Sequence, residues 1–140
     1  MKPVPLPKIE KRNGPGQPEI WVQFQPEERA IRVRPDHWIG FDFDGVLSVP
    51  DPSKPYRLDD LGLPVKETVN AARALLDAGI VVKVFTARTC DAHMIPKIQD
   101  WTEANGLGRL EVTNVKDYGL VRFYDDRAIQ VRRAYYEVAD

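Results

Sequence analysis

Apolar and polar residues alternate in two stretches near the amino terminus, and further along the chain this two-residue period gives way to a helical one. Ile20, Val22 and Phe24 alternate with Trp21, Gln23 and Gln25, while Ile31 and Val33 alternate with Arg32 and Arg34. A period of two belongs to half-buried strands, and the intervening Gln25-Pro26-Glu27-Glu28-Arg29 predicts a turn, so the pair reads as a β-hairpin. Ahead of it, residues 1 to about 18 carry Pro3, Pro5, Pro7, Pro15 and Pro18 among charged residues. That composition predicts an extended arm with too little apolar surface to order itself. After the hairpin, residues 38 to 43 form an apolar strand. Val65, Val69, Ala72 and Leu76 then recur at helical spacing and stop at Gly79. The β-branched run Ile80-Val81-Val82-Lys83-Val84-Phe85 predicts a strand. A second helix is expected over about residues 92 to 105, with Ile95, Ile98 and Trp101 inward, Pro96 in its first turn and Asn105-Gly106 closing it. Residues 110–113 and 121–124 read as further strands, and the tail from Ala128 to Asp140 reads equally as helix or as short strand and helix.

Strands alternating with helices predict an α/β fold: a three-layer, Rossmann-like core with a mostly parallel sheet and helices on both faces. The expected organisation is an arm and hairpin over residues 1–37, followed by one α/β domain over 38–140. Ligands of such sheets bind beyond the carboxyl ends of the strands. Each polar cluster here follows a predicted strand: Asp42 and Asp44, then Thr86 and Arg88, then Lys116, then Asp125, Asp126 and Arg127. They are expected to meet at one edge.

Asp42 and Asp44 lie two apart at a strand end, where side chains share a side, and Gly45 lets the backbone turn at once. Like charges so close are tolerated when a cation lies between them or one of them holds a proton. A hard cation such as Mg²⁺ wants oxygen ligands, and Asp42, Asp44, Asp125 and Asp126 supply them. Thr86 and Lys116 are suited to holding phosphoryl oxygens, with Arg88 and Arg127 as further phosphate contacts. A carboxylate approaching a phosphate dianion meets repulsion of roughly 4 kcal/mol per unit-charge pair at about 4 Å and an effective dielectric of 20, which metal and lysine must offset. The excess negative charge favours a protonated Asp44 when substrate is bound, the state that protonates a leaving oxygen.

Composition narrows the partners. A chain of 140 residues, 43% hydrophobic and 29% charged, has the make-up of a globular domain, and a net charge of −1 gives no overall attraction to nucleic acid or anionic membrane. Lys8, Lys11, Arg12, Arg32 and Arg34 form a basic set that Glu10, Glu19, Glu27 and Glu28 dilute, so nucleic-acid binding has weak support. Cys90 is the single cysteine, which excludes an internal disulfide. No apolar run reaches membrane-spanning length, and the proline-rich start lacks the apolar core of a secretion signal. A cytoplasmic protein with no membrane partner is the expectation.

Asp42-Phe43-Asp44-Gly45-Val46-Leu47, Phe85-Thr86-Ala87-Arg88, Lys116 and Tyr124-Asp125-Asp126-Arg127 together resemble, in order, the four motifs of the haloacid dehalogenase-like superfamily. The resemblance covers about residues 38 to 127 and is greatest to its small, nearly capless phosphatase-like members of bacteria and phages. It implies a Mg²⁺-dependent phosphohydrolase acting on a phosphomonoester that the sequence does not identify, with a nucleotide, a nucleic-acid end and a phosphoprotein as the candidates. Asp42 would be the nucleophile that forms an aspartyl-phosphate. Asp44 would act as acid and then base, its backbone carbonyl reaching the metal. Thr86 and Lys116 would position the phosphoryl group, and Asp126 with Asp125 would complete the metal site. The proline-laden stretch between Leu47 and Val65 is too short for a folded cap, which predicts a site that is open or shielded by a loop, by the amino-terminal hairpin or by a second subunit. The alternative is a non-catalytic module of the same fold that binds Mg²⁺ and phosphate.

Overall fold

The computed structural model describes residues 4–131. At its centre is a parallel sheet of β4 (Trp38–Phe41), β7 (Val81–Phe85), β8 (Val112–Thr113) and β9 (Leu120–Tyr124) in the order β8-β7-β4-β9. All four residues of β4, which lies between β7 and β9, are buried. Two short strands, β5 (Ser48–Val49) and β6 (Leu63–Pro64), pair with each other and close the base of the loop between them.

The helices form where the periodicity places them. Helix α1 (Lys66–Asp77) buries Thr68, Val69, Ala71, Ala72 and Leu75, and ends where Gly79 takes a φ of +85°. Helix α2 (Met94–Ala104) buries Met94, Ile98 and Thr102. Val69, Ala72, Leu75 and Ile98 share one apolar cluster with Ile39, Phe41, Val82 and Val84, so both helices cover the same face of the sheet. Alternation along the strands turns Trp38, Lys83, Phe85 and Phe123 to the other face. The expected three layers are therefore not met among the described residues. The connection from β8 to β9 is confined to residues 114–119, too short for the helix that usually makes a parallel crossover, and it has no regular structure apart from a turn at 118–119. Of the tail whose structure the sequence left open, residues 128–131 have no regular structure and 132–140 lie outside the described residues.

The amino terminus is more ordered than its composition predicts. The hairpin is present as β2 (Glu19–Gln23) and β3 (Ile31–Val33), but β1 (Lys8–Arg12), within the expected arm, adds to it as a third antiparallel strand. Backbone pairing supplies what side-chain burial does not. The strand is exposed except at Ile9, which packs on the core, and Arg12 lies over the Trp21 ring at 4.2 Å. Its charged residues also blunt a sheet edge. Val22, Phe24 and Val33 belong to the same apolar cluster as Ile39 and Phe41, and Glu28 pairs with Arg122 of β9 at 3.2 Å. This small sheet is thus packed onto the core. No helix among the described residues is long and apolar enough to cross a membrane.

Candidate functional site

In the order β8-β7-β4-β9 the chain steps outward from β4 through β7 to β8, then returns to the far side of β4 for β9. Sheets of this kind bind ligands beyond the carboxyl ends of the strands at such a reversal, here β4 and β9. Asp42 follows β4 directly, and its amide donates to the Tyr124 carbonyl at 3.0 Å, which locks the end of β4 to the end of β9. Asp125 and Asp126 come next in the chain. One carboxylate oxygen from each of Asp42, Asp125 and Asp126 lies within 4.8 Å of the others.

Among the described residues none of the three carboxylates has an ion-pair partner. Burial pushes the Asp42 carboxyl up to about 6, its hydrogen bond to Asp125 and the charges of Asp125 and Asp126 push the same way, and the Phe43 amide, 2.7 Å from Oδ1, opposes them. Three oxygens held together at this cost fit a hard divalent cation, which takes oxygen ligands and stabilises their ionised form. The turn is shaped to allow it. Gly45 has a φ of +79°, and a Cβ there would lie 2.4 Å from Asp126 Oδ2, so the glycine both makes the turn and leaves space for the carboxylate. The Phe43 carbonyl accepts from Val46, Leu47 and Ser48, and the Gly45 amide donates to the Ser48 carbonyl at 2.8 Å.

Asp44 stands apart from the three. Its carboxylate takes a two-pronged grip from Arg88, Nε to Oδ2 at 2.8 Å and Nη2 to Oδ1 at 2.7 Å, and Arg88 Nη1 donates to the Leu58 carbonyl at 2.8 Å. The side chain expected to contact phosphate thus joins the first acidic turn to the loop between β5 and β6. Arg88 belongs to a short 3₁₀ turn, Ala87–Cys90, capped by Thr86, whose Oγ accepts from the Arg88 amide at 3.2 Å. Thr86 is buried at the end of β7, where its amide donates to the Thr113 carbonyl.

A cleft of about 390 Å³ opens here, lined by Asp42, Asp44, Thr86, Arg88 and Arg127 together with residues of the β5–β6 loop. Lys116 is not among the lining residues. It is exposed and forms no ion pair or hydrogen bond among the described residues. Its segment is tied instead to the opposite end of β4: Asp117 accepts from Trp38 Nε1 at 2.8 Å, and the Trp38 amide donates to the Gly119 carbonyl at 2.7 Å. Residues that motif reasoning did not reach are those of the loop, Pro50, Tyr56, Leu58, Asp60 and Leu61. The signal available for them was the presence of large apolar residues in an otherwise polar, proline-rich stretch. The shield over the cleft is this loop; the amino-terminal strands contribute no lining residue.

Comparison with protein-family models, with curated proteins and with solved structures returns no match for this chain.

Proposed function

We propose that the protein is a Mg²⁺-dependent phosphohydrolase of haloacid dehalogenase-like type. The observation that carries the reading is the cluster of Asp42, Asp125 and Asp126, which has no ion-pair partner among the described residues and whose Asp42 lines the same cleft as Thr86, Arg88 and Arg127. Asp42, Asp125 and Asp126 would hold the cation, which when bound offsets the charge of the carboxylates and of the phosphoryl oxygens. An Asp42 oxygen attacks phosphorus and the bond to the leaving alcohol breaks as an aspartyl-phosphate forms. Asp44 gives its proton to the leaving oxygen. It then takes one from the water that attacks phosphorus, releasing inorganic phosphate and restoring both carboxyl groups.

Thr86 has the free hydroxyl proton to donate to a phosphoryl oxygen, since its Oγ already accepts from the Arg88 amide. Lys116 does not line the cleft, and this reading rests instead on the two cations that do, Arg88 and Arg127. A planar guanidinium binds phosphate as a two-pronged donor, so Arg127 supplies the charge that a lysine would.

One observation favours the rival reading, a module that binds Mg²⁺ and phosphate without turnover. Arg88 donates to both Asp44 oxygens, so neither is presented to a leaving group. Hydrolysis of an aryl phosphate by the parent protein, with and without Mg²⁺, and by Asp42→Asn separates the two. Turnover that requires Mg²⁺ and falls at least about 10³-fold in the variant is expected. If the parent is inert on this substrate and on a panel of phosphomonoesters but still binds phosphate, the binding module is the better account.

A further inference from the structure

The cleft mixes two chemistries. Beside its charged residues it is lined by Pro50, Tyr56, Leu58 and Leu61, and Tyr56 and Leu58 are 69% and 73% exposed. Large apolar side chains displayed on a loop beside a charged centre mark a binding surface when the loop is fixed, because they are then presented and not merely unpacked. This loop is fixed at several points. Strands β5 and β6 clamp its base, Ser48 Oγ donates to the Leu61 carbonyl, Arg88 Nη1 holds the Leu58 carbonyl at 2.8 Å, and Trp101 Nε1 holds the Gly62 carbonyl at 3.1 Å. Asp60 also lines the cleft; one of its oxygens accepts from the Gly62 amide at 3.1 Å, and the other has no partner among the described residues.

An aromatic face, a neighbouring apolar wall and an unpaired carboxylate oxygen, all next to a phosphoryl site, match a ligand with a flat ring and hydroxyl or amino donors. We infer that the cleft takes a nucleoside monophosphate, with the base stacked on Tyr56 and a sugar hydroxyl or exocyclic amine donating to Asp60. This rests on the phosphohydrolase reading for where the phosphate sits. A phosphorylated aliphatic side chain would leave the apolar wall unused, and a phosphorylated tyrosine would bring no donor for Asp60. A volume of about 390 Å³ is at the small end of small-molecule sites, which suits one nucleotide and not a polymer.

Adenosine monophosphate and ribose 5-phosphate carry the same phosphate on the same alcohol and differ by the base, so their comparison isolates the stack. Calorimetric titration of each into Asp42→Asn with Mg²⁺ measures binding without turnover. The nucleotide should bind about 10-fold more tightly, as expected for one base on one aromatic ring. Adding Tyr56→Ala should reduce that ratio to about 2 or less, and Tyr56→Phe should preserve it. Equal affinities, no binding of either compound, or a ratio that survives Tyr56→Ala overturns the inference. Kinetics on the parent separate the two layers. Nucleotide binding that depends on Tyr56 without hydrolysis removes the phosphohydrolase reading and keeps this site, whereas hydrolysis of both compounds at equal kcat/KM removes this site alone.

Discussion

Replacing Gly45 with alanine should damage the acidic cluster more than it damages the fold. Two effects follow from the geometry. A φ of +79° costs an L-residue about 1–2 kcal/mol. The added Cβ would also lie 2.4 Å from Asp126 Oδ2, inside contact distance, but that atom ends a side chain and can swing away at little cost. Gly79→Ala is the matched control, with a φ of +85° and nothing within 4 Å of its Cβ, so it reports the backbone cost alone. Gly62→Ala is the opposite extreme: its Cβ would meet the Val49 carbonyl oxygen at 2.3 Å, and that backbone is held in the β5–β6 pair. Urea denaturation should therefore give losses of about 1–2 kcal/mol for Gly79→Ala and Gly45→Ala, and roughly 3 kcal/mol or more for Gly62→Ala, where overpacking adds to the backbone cost. Titration with Mg²⁺, read as the shift in melting temperature, should show Gly45→Ala binding about 10–100-fold more weakly than Gly79→Ala. Equal Mg²⁺ responses in these two variants would refute the claim that Gly45 makes room for a metal-binding Asp126.

The raised Asp42 carboxyl gives a pH signature. Between the ordinary value of 3.8 and about 6 the folded protein keeps a proton that the unfolded chain has lost, so without metal, stability falls as pH rises through this window. A cation favours the ionised form, so the Mg²⁺-induced rise in melting temperature should be larger at pH 7.5 than at pH 4.5; a shift independent of pH contradicts the assignment. Arg88→Lys cannot grip both Asp44 oxygens and the Leu58 carbonyl together, and should cost about 1 kcal/mol with faster protease cleavage between residues 50 and 62, since Asp44 is half exposed. Unchanged cleavage means the loop is held without Arg88. The Tyr124 hydroxyl is buried with no hydrogen-bond partner among the described residues, and burial pushes it up to about 12. Tyr124→Phe should leave stability unchanged or raise it by about 1 kcal/mol, and a comparable loss would point to a partner for that hydroxyl.

What the sequence determined was local. The period of Val65, Val69, Ala72 and Leu76 yields α1 because a helix stripe of that spacing has one way to bury itself, and Gly79 ends it because a positive φ is needed there. The strands before Asp42, Thr86 and Asp125 were legible as apolar runs ending in polar residues, and that legibility extends to the Asp42, Asp125 and Asp126 cluster. Tertiary structure decided what depends on partners distant in the chain. Lys8–Arg12 is a strand because β2 offers its backbone groups, which composition does not record. Asp44 belongs to Arg88, and Lys116 lies on a segment anchored by Trp38, because these outcomes turn on which way a turn or crossover carries a side chain after the strand ends. Spacing sets which residues arrive at the edge of a sheet. The charge each one meets there is fixed by contacts between segments that the sequence keeps tens of residues apart.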